Sequence, residues 1–175
     1  YFPDRNMARA HIADSKHVFP GGYALEAPKT DYFESTIAIG LYLGKPYGTL
    51  KASAPALERA ERWISSHGSG RDTVVLTLRN SSVHPLRNNN LEAWVQFARN
   101  LASSRFCPVF VRDTADVFAP PIDELSEFPI CDLASIDIEF RLALYEQAYL
   151  NLMVDSGPAT MCMFDEATRC LRFKM

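Results

Sequence analysis

Apolar runs and amphipathic segments alternate through the second half of the sequence. Continuous β-branched and apolar runs are typical of strands that are buried on both faces of a sheet, and apolar residues at helical spacing predict helices. The predicted strands are TVVLTL (73–78), CPVFV (107–111), YLNLMV (149–154) and TRCLRF (168–173), with FPIC (128–131) as a short further candidate. Helices are predicted over 89–104, over 137–148 and from GPATMCMF onwards. This order predicts an α/β fold with a doubly wound, mostly parallel Rossmann-like sheet and helices on both faces.

The sequence before the first predicted strand shows a different pattern. Residues 1–30 carry prolines and glycines without a sustained period, which is typical of irregular structure. A helix is predicted over 30–46, where apolar residues recur at helical spacing. A second helix is predicted over 53–70, with Ser53 as its N-cap and two glycines at its end.

These patterns divide the sequence into two parts. We expect an irregular and helical segment over residues 1–70, followed by the sheet domain over residues 71–175. The sequence opens on Tyr1 and closes on an apolar strand with nothing predicted to pack after it. Both ends therefore look cut.

The composition is that of an ordinary globular protein and disfavours several functional classes. The sequence has 175 residues and a net charge of -3, which disfavours nucleic acid as the main partner because a phosphate backbone needs a concentrated basic face. No apolar run reaches the roughly 18 residues of a transmembrane helix, and no signal peptide is visible. We therefore expect no membrane span and a cytoplasmic location.

The cysteines form no CxxC pair, which argues against a zinc site and favours reduced thiols in the core. They are Cys107, Cys131, Cys162 and Cys170.

Polar and basic residues follow the first predicted strand. In doubly wound sheets ligands bind beyond the carboxyl ends of the strands, so RNSSVHPLRNNN after TVVLTL is a candidate ligand loop. Arginine can bind phosphate or carboxylate through its planar fork, and amides supply further hydrogen bonds. The candidate binding residues here are Arg79, Asn80, Arg87 and Asn88. The alternative is a solvated loop with helix-capping asparagines, and the sequence favours neither interpretation.

An acidic residue follows the second predicted strand. Asp113, in RDTADV, could accept hydrogen bonds from a ribose, as acidic residues do in dinucleotide-binding folds. The GxGxxG fingerprint is absent from this sequence, which disfavours NAD. The more ordinary alternative for Asp113 is an N-cap or an ion pair with Arg112.

Small residues follow the strand YLNLMV and open the next helix. The turn Ser156-Gly157-Pro158, continued by Ala159 and Thr160, would let backbone N–H groups approach a ligand, and helix N-termini bind anions. The alternative is a tight strand-to-helix turn with Ser156 as N-cap. Taken alone, the turn favours the interpretation as a plain strand-to-helix connection. Together with Arg79 and Arg87 at the same predicted edge, the interpretation as an anion-binding turn becomes about as strong.

The same residues carry a family resemblance. RNSS…RNNNLEAWVQFARNL…PVFVRDT and RLALYEQAYLNLMVDSGPATMCMF resemble the C-terminal nucleotide-sugar domain of bacterial glycosyltransferases with two Rossmann-like domains, of the heptosyltransferase-like and fucosyltransferase-like types. The resemblance covers about residues 73–175. It implies that residues 71–175 bind a nucleotide sugar and that residues 1–70 are the end of an N-terminal acceptor domain plus a connector. It further implies Ser156 to Thr160 as the pyrophosphate turn, with Arg79 and Arg87 neutralising phosphate.

We therefore predict a glycosyltransferase, or its donor-binding half, that transfers a sugar from a nucleoside diphosphate sugar to an acceptor that the sequence does not identify. The donor is a substrate, and we expect neither a cofactor nor a metal, since the sequence holds no Asp-x-Asp pair. No catalytic residue is assigned, because no nucleophile–base or paired-carboxylate arrangement is visible. Two alternatives stay open: a non-catalytic α/β module that binds a nucleotide or anionic metabolite, and a structural interaction domain that buries SGPATM against a partner subunit.

Overall fold

The computed structural model describes residues 4–14, 26, 43–44 and 49–173. The chain forms two compact units, Tyr1–Gly48 and Thr49–Met175. In the first unit the described residues form helix α1 (Arg5–Asp14), and the Asp4 carboxylate caps its start by accepting hydrogen bonds from two backbone N–H groups at 2.7 and 2.9 Å. The helix predicted over 30–46 lies outside the described residues, apart from a turn at 43–44.

The second unit contains a four-stranded, all-parallel sheet and the helices around it. Its described elements are α2 (Ala54–His67), β1 (Asp72–Thr77), α3 (Leu91–Ala102), β2 (Phe106–Val111), α4 (Leu133–Ile136), α5 (Ile138–Gln147), β3 (Leu150–Val154), α6 (Gly157–Met163) and β4 (Cys170–Phe173). The strand order is β2-β1-β3-β4. Val75, at the centre of β1, pairs with Val109 of β2 on one side and with Asn151 of β3 on the other. The predicted α/β fold class with a parallel sheet is confirmed.

The sheet is covered on both faces, which explains why its strands read as continuous apolar runs. Val74 and Leu76 of β1 point to one core, where they pack with Val95 and Ala98 of α3. Val75 points to the other core, which α2, α5 and α6 cover. Strand residues alternate between the two faces, so every position of the run meets an apolar neighbour.

Helix α2 belongs to the compact unit that carries the sheet. Ser53 is its N-cap, as predicted, and its hydroxyl accepts a hydrogen bond from the Ala56 N–H at 3.4 Å. Ala56 and Ala60 are buried in the core that they share with Leu144 of α5. The compact unit therefore begins at Thr49, before the boundary predicted at residue 71, because α2 completes one face of the sheet core.

The short strand predicted at FPIC is only a single bridge in the structure. Ile130 pairs in parallel with Phe110, at the outer edge of β2. The Phe110 N–H donates to the Pro129 carbonyl at 2.9 Å, and the Cys131 N–H donates to the Phe110 carbonyl at 2.8 Å. Pro129 has no N–H to extend the ladder, so the pairing stops after one residue.

A buried hydrogen bond ties helix α5 to the carboxyl end of β1. The hydroxyls of Tyr145 and Thr77 lie 2.7 Å apart, and both side chains are buried. Burial raises the pKa of Tyr145 well above its ordinary value, while the charge of Arg141 and the hydrogen bond from Thr77 oppose the shift. Tyr145 is therefore a neutral hydrogen-bonding group within the core.

We expect Tyr145→Phe to lower the free energy of unfolding by about 1–3 kcal/mol, because it leaves the buried Thr77 hydroxyl without a partner. The double variant Thr77→Val/Tyr145→Phe should lose less free energy of unfolding than the two single variants lose together, because it leaves neither hydroxyl without a partner. Urea unfolding of the four proteins measures this coupling. Purely additive changes would show that the two hydroxyls do not interact.

Candidate functional site

The order of the strands creates a crevice beside β1. The chain runs outwards from β1 to β2 and then returns to the other side of β1 as β3. In open parallel sheets such a switch point is where ligands bind, beyond the carboxyl ends of the strands. A cavity of about 90 Å³ lies at this place. We call it the arginine cavity, because Arg79, Arg112 and Arg141 line it together with Asp113 and the turn Ser156-Gly157-Pro158.

Arg112 is a buried and firmly held side chain of this cavity. It directly follows β2, and its side chain is 6% exposed. Its Nε and Nη2 donate to the two carboxylate oxygens of Asp132 at 2.8 and 2.6 Å, and Nη2 also donates to the Val117 carbonyl at 3.1 Å. The hydrogen bonds that Arg112 donates to Asp132 raise the pKa of Arg112 above its ordinary value, although burial opposes this. Nη1 is buried and has no hydrogen-bond partner in the described structure.

Arg141 brings a second buried positive charge to the cavity. It lies on α5 and is 9% exposed. Its Nε donates to the Ala134 carbonyl. Within the described part of the chain, no carboxylate forms an ion pair with it. Burying a charge without a counter-ion is costly, which makes this arginine a candidate for pairing with a bound anion.

Arg79 is the half-buried third arginine, and the loop around it is well organised. Its Nε is buried and lacks an acceptor among the described residues, while its backbone N–H donates to the Asn89 side chain at 2.5 Å. Asn80 lies outside the cavity lining and joins two loops: its N–H donates to Asp113 at 3.0 Å, and its side chain donates to Asp116 at 3.0 Å.

Asp113 lines the cavity, but its carboxylate is engaged with backbone groups. It accepts from the N–H of Asn80 at 3.0 Å and from the N–H of Ala115 at 3.1 Å. The second bond makes it the N-cap of the short 3-10 turn Thr114–Asp116. The contacts of Asp113 are therefore those of an N-cap. It forms no ion pair with Arg112, because Arg112 pairs with Asp132 instead.

The turn after β3 contributes Ser156, Gly157 and Pro158 to the cavity lining. Ser156 occupies the N-cap position of α6, yet its hydroxyl makes no capping bond and donates to the Val154 carbonyl at 3.1 Å. Ala159 is buried in the core, and Thr160 lies outside the lining. Helix α6 has 7 residues, less than two turns, so its N-terminus is a weak source of positive charge. The positive charge of the cavity therefore comes from the arginine side chains.

Arg87 and Asn88 organise the loop beside the cavity and are not part of its lining. Arg87 donates to the backbone carbonyl of Asp155 at 2.8 Å, and its guanidinium lies 3.5 Å from the Asp155 carboxylate. Asn88 closes the loop through two hydrogen bonds with the backbone of Ser81, at 2.8 and 3.1 Å. Both residues hold the loop after β1 in place.

The structure thus brings together part of the predicted residue set and adds two arginines. The predicted residues on the cavity lining are Arg79, Asp113, Ser156, Gly157 and Pro158, whereas Asn80, Arg87, Asn88, Ala159 and Thr160 lie outside it. Their roles in binding stay predictions. Sequence reasoning missed Arg112, although its place directly after a buried strand was a usable signal. Arg141 gave no such signal, because it lies within the mostly apolar helix segment FRLALY.

A larger open groove of about 660 Å³ lies along the start of α3. Its charged lining residues Glu92, Arg99 and Glu124 are exposed, and Arg99 pairs with Glu127 at 2.7 Å. Solvated charges of this kind carry little binding energy. The smaller arginine cavity, with its buried charges, is the stronger candidate for a ligand site.

Within the described ranges, no group of three or more histidine, cysteine or acidic side chains could hold a metal ion. The four cysteines are free thiols. Burial raises the pKa of Cys131 to about 12, so this thiol stays protonated at neutral pH.

No described helix is long and apolar enough to cross a membrane.

Comparisons of the chain with protein-family models, curated proteins and solved structures found no match. The glycosyltransferase resemblance therefore stays a prediction, and the geometry of the cavity is the basis for a functional proposal.

We expect Arg141→Met to keep the free energy of unfolding within about 1 kcal/mol of the unsubstituted protein or to raise it, because an apolar side chain removes an uncompensated buried charge. Arg112→Met is the contrasting variant and should destabilise more, since it leaves the Asp132 carboxylate without its partner. Urea unfolding distinguishes the two. A large loss of stability in Arg141→Met would show that this arginine is retained for folding.

Proposed function

We propose that residues 49–173 form the donor-binding half of a glycosyltransferase and that the arginine cavity binds a phosphoryl group of the diphosphate of a nucleoside diphosphate sugar. The observation that carries the proposal is the convergence of three arginines on one small cavity at the switch point of a parallel sheet. One of them, Arg141, is buried without a carboxylate partner in the described structure. A bound anion would supply the missing counter-ion.

The hydrogen-bonding capacity of the cavity supports a phosphate ligand. Arg79, Arg112 and Arg141 line one small cavity and bring three guanidinium groups to it. A phosphoryl group presents several charged oxygens and could bind more than one guanidinium at once. A carboxylate ligand has fewer oxygens and would bind fewer of these groups.

The size of the cavity limits which part of the ligand it holds. Pockets that enclose a whole drug-sized ligand measure roughly 300–1,000 Å³, whereas the arginine cavity measures about 90 Å³. It therefore suits a phosphoryl group rather than a complete nucleotide sugar. The nucleoside and the sugar would lie outside it, over the loops that follow β1 and β2.

Positive charge at this place fits the chemistry of glycosyl transfer. When the bond between sugar and diphosphate breaks, negative charge develops on the leaving diphosphate. Arginines that are already fixed before the reaction stabilise that charge without reorganisation. Arg112 is pre-oriented in this sense, because Asp132 and the Val117 carbonyl hold its guanidinium. Leaving-group stabilisation is the role that we propose for this domain.

One observation favours a second candidate function, the binding of a diphosphate ligand without chemistry. Asp113 is the one carboxylate on the cavity lining, and two backbone N–H groups already occupy it. No other side chain on the described lining is a suitable general base at neutral pH. The two candidates differ in a single readout, since only a transferase releases free nucleoside diphosphate from a nucleotide sugar in the presence of its acceptor.

We expect the thermal midpoint of the protein to rise with pyrophosphate and with one of UDP, GDP or ADP, because a ligand that binds only the folded state stabilises it by mass action. Arg141→Met should lose most of this shift, since it removes the uncompensated charge. Arg99→Met is the matched control, because Arg99 is an exposed, paired arginine on α3. Equal shifts in both variants, or no shift with any of these compounds, would contradict the proposal.

A further inference from the structure

The most exposed large apolar side chains of the described part of the second unit lie on the two loops beside the arginine cavity. Leu86 is 91% exposed and Val83 is 76% exposed, and both belong to the loop after β1. Phe118 is 89% exposed and belongs to the loop after β2. Single exposed apolar residues are ordinary, but these three share the sheet edge at which the cavity opens.

The backbone around Phe118 is fixed next to the cavity. The carbonyl of the preceding residue, Val117, accepts the hydrogen bond from Arg112 Nη2 at 3.1 Å. On the other side, the Ala119 N–H donates to the Asp116 carbonyl at 3.0 Å. The side chain of Asp116 accepts from Asn80 at 3.0 Å, which ties this loop to the loop after β1. Phe118 is therefore an exposed phenyl ring on an anchored segment that directly contacts a cavity arginine.

We infer that Phe118 is the stacking platform for the nucleobase of the ligand whose phosphate lies in the arginine cavity. This inference rests on the proposed function and adds to it a residue that contributes affinity for the base. The cavity is too small for more than the phosphoryl group, so the nucleoside must lie against the loops. An aromatic ring offers a flat π-face to a base, and such stacking is insensitive to which base is present.

The chemistry of the neighbouring residues assigns this role to Phe118. Leu86 and Val83 are equally exposed at the same edge, but they are aliphatic and have no π-face to stack on a base. A side chain that is 89% exposed buries little surface on folding, so replacing it leaves the core unchanged. Stability and ligand affinity can therefore be separated at this position.

The test compares the affinities of the 175-residue protein and its variants for UDP, GDP, ADP and pyrophosphate by titration calorimetry. Phe118→Ala should weaken the binding of the preferred nucleoside diphosphate by about tenfold and leave pyrophosphate affinity unchanged, since pyrophosphate has no base. Phe118→Trp should retain the nucleotide affinity. Phe97→Ala is the matched control and should change neither affinity, because Phe97 is an exposed phenyl ring on α3, outside the two loops.

The outcomes separate this inference from the proposed function. If Phe118→Ala binds the nucleoside diphosphate as tightly as the unsubstituted protein does, the stacking role is wrong and the phosphate site stands. The stacking role is also wrong if Phe118→Ala weakens pyrophosphate and nucleotide equally. If the unsubstituted protein binds neither pyrophosphate nor any of the nucleotides, the proposed function fails and the stacking role fails with it.

Discussion

Burial of a parallel sheet on both faces is the constraint on which this structure depends. Parallel strands need long crossovers, and each crossover must return over one face or the other. Here β1 is an inner strand, and its residues alternate between a core under α3 and a core under α2, α5 and α6. Because β2 and β3 lie on opposite sides of β1, the crossovers that lead to them cover opposite faces of the sheet and diverge at the carboxyl end of β1. The space that opens there is the arginine cavity, so the site follows from the way in which the core is closed.

The fold could be predicted from the sequence to a large extent because burial leaves a simple pattern. Val74, Val75 and Leu76 are apolar because both sides of β1 are covered, and a run of that kind is visible without the structure. Ser53 could be assigned as a cap because its bond is local. The start of the sheet domain could not be assigned from the sequence, because the packing of Ala60 on α5 joins residues that are far apart in the sequence.

The site was predictable only where it follows directly from strand ends. Arg79, Asp113 and the turn at Ser156 lie immediately after strands, and the cavity includes them. Arg141 lies in a helix whose other residues are mostly buried, and its sequence neighbours do not distinguish a core position from a cavity wall. Whether Arg87 faced a ligand or the protein depended on its partner, Asp155, which is distant in the sequence. Long-range partners of polar side chains are the information that a single sequence lacks.

Helix α5 carries one residue of the cavity lining and, on the next turn of the same face, a residue that hydrogen-bonds to another part of the lining. Arg141 lines the cavity, and Tyr145, four residues later, hydrogen-bonds to Thr77 on the same lining. Residues at this spacing are adjacent on a helix, and the Nε of Arg141 and the hydroxyl of Tyr145 are each held by a hydrogen bond. A ligand would then meet groups whose rotamers are already restricted, and little side-chain freedom remains to be lost on association. Folding, and not the binding event, would then carry most of the conformational-entropy cost of ordering these two side chains.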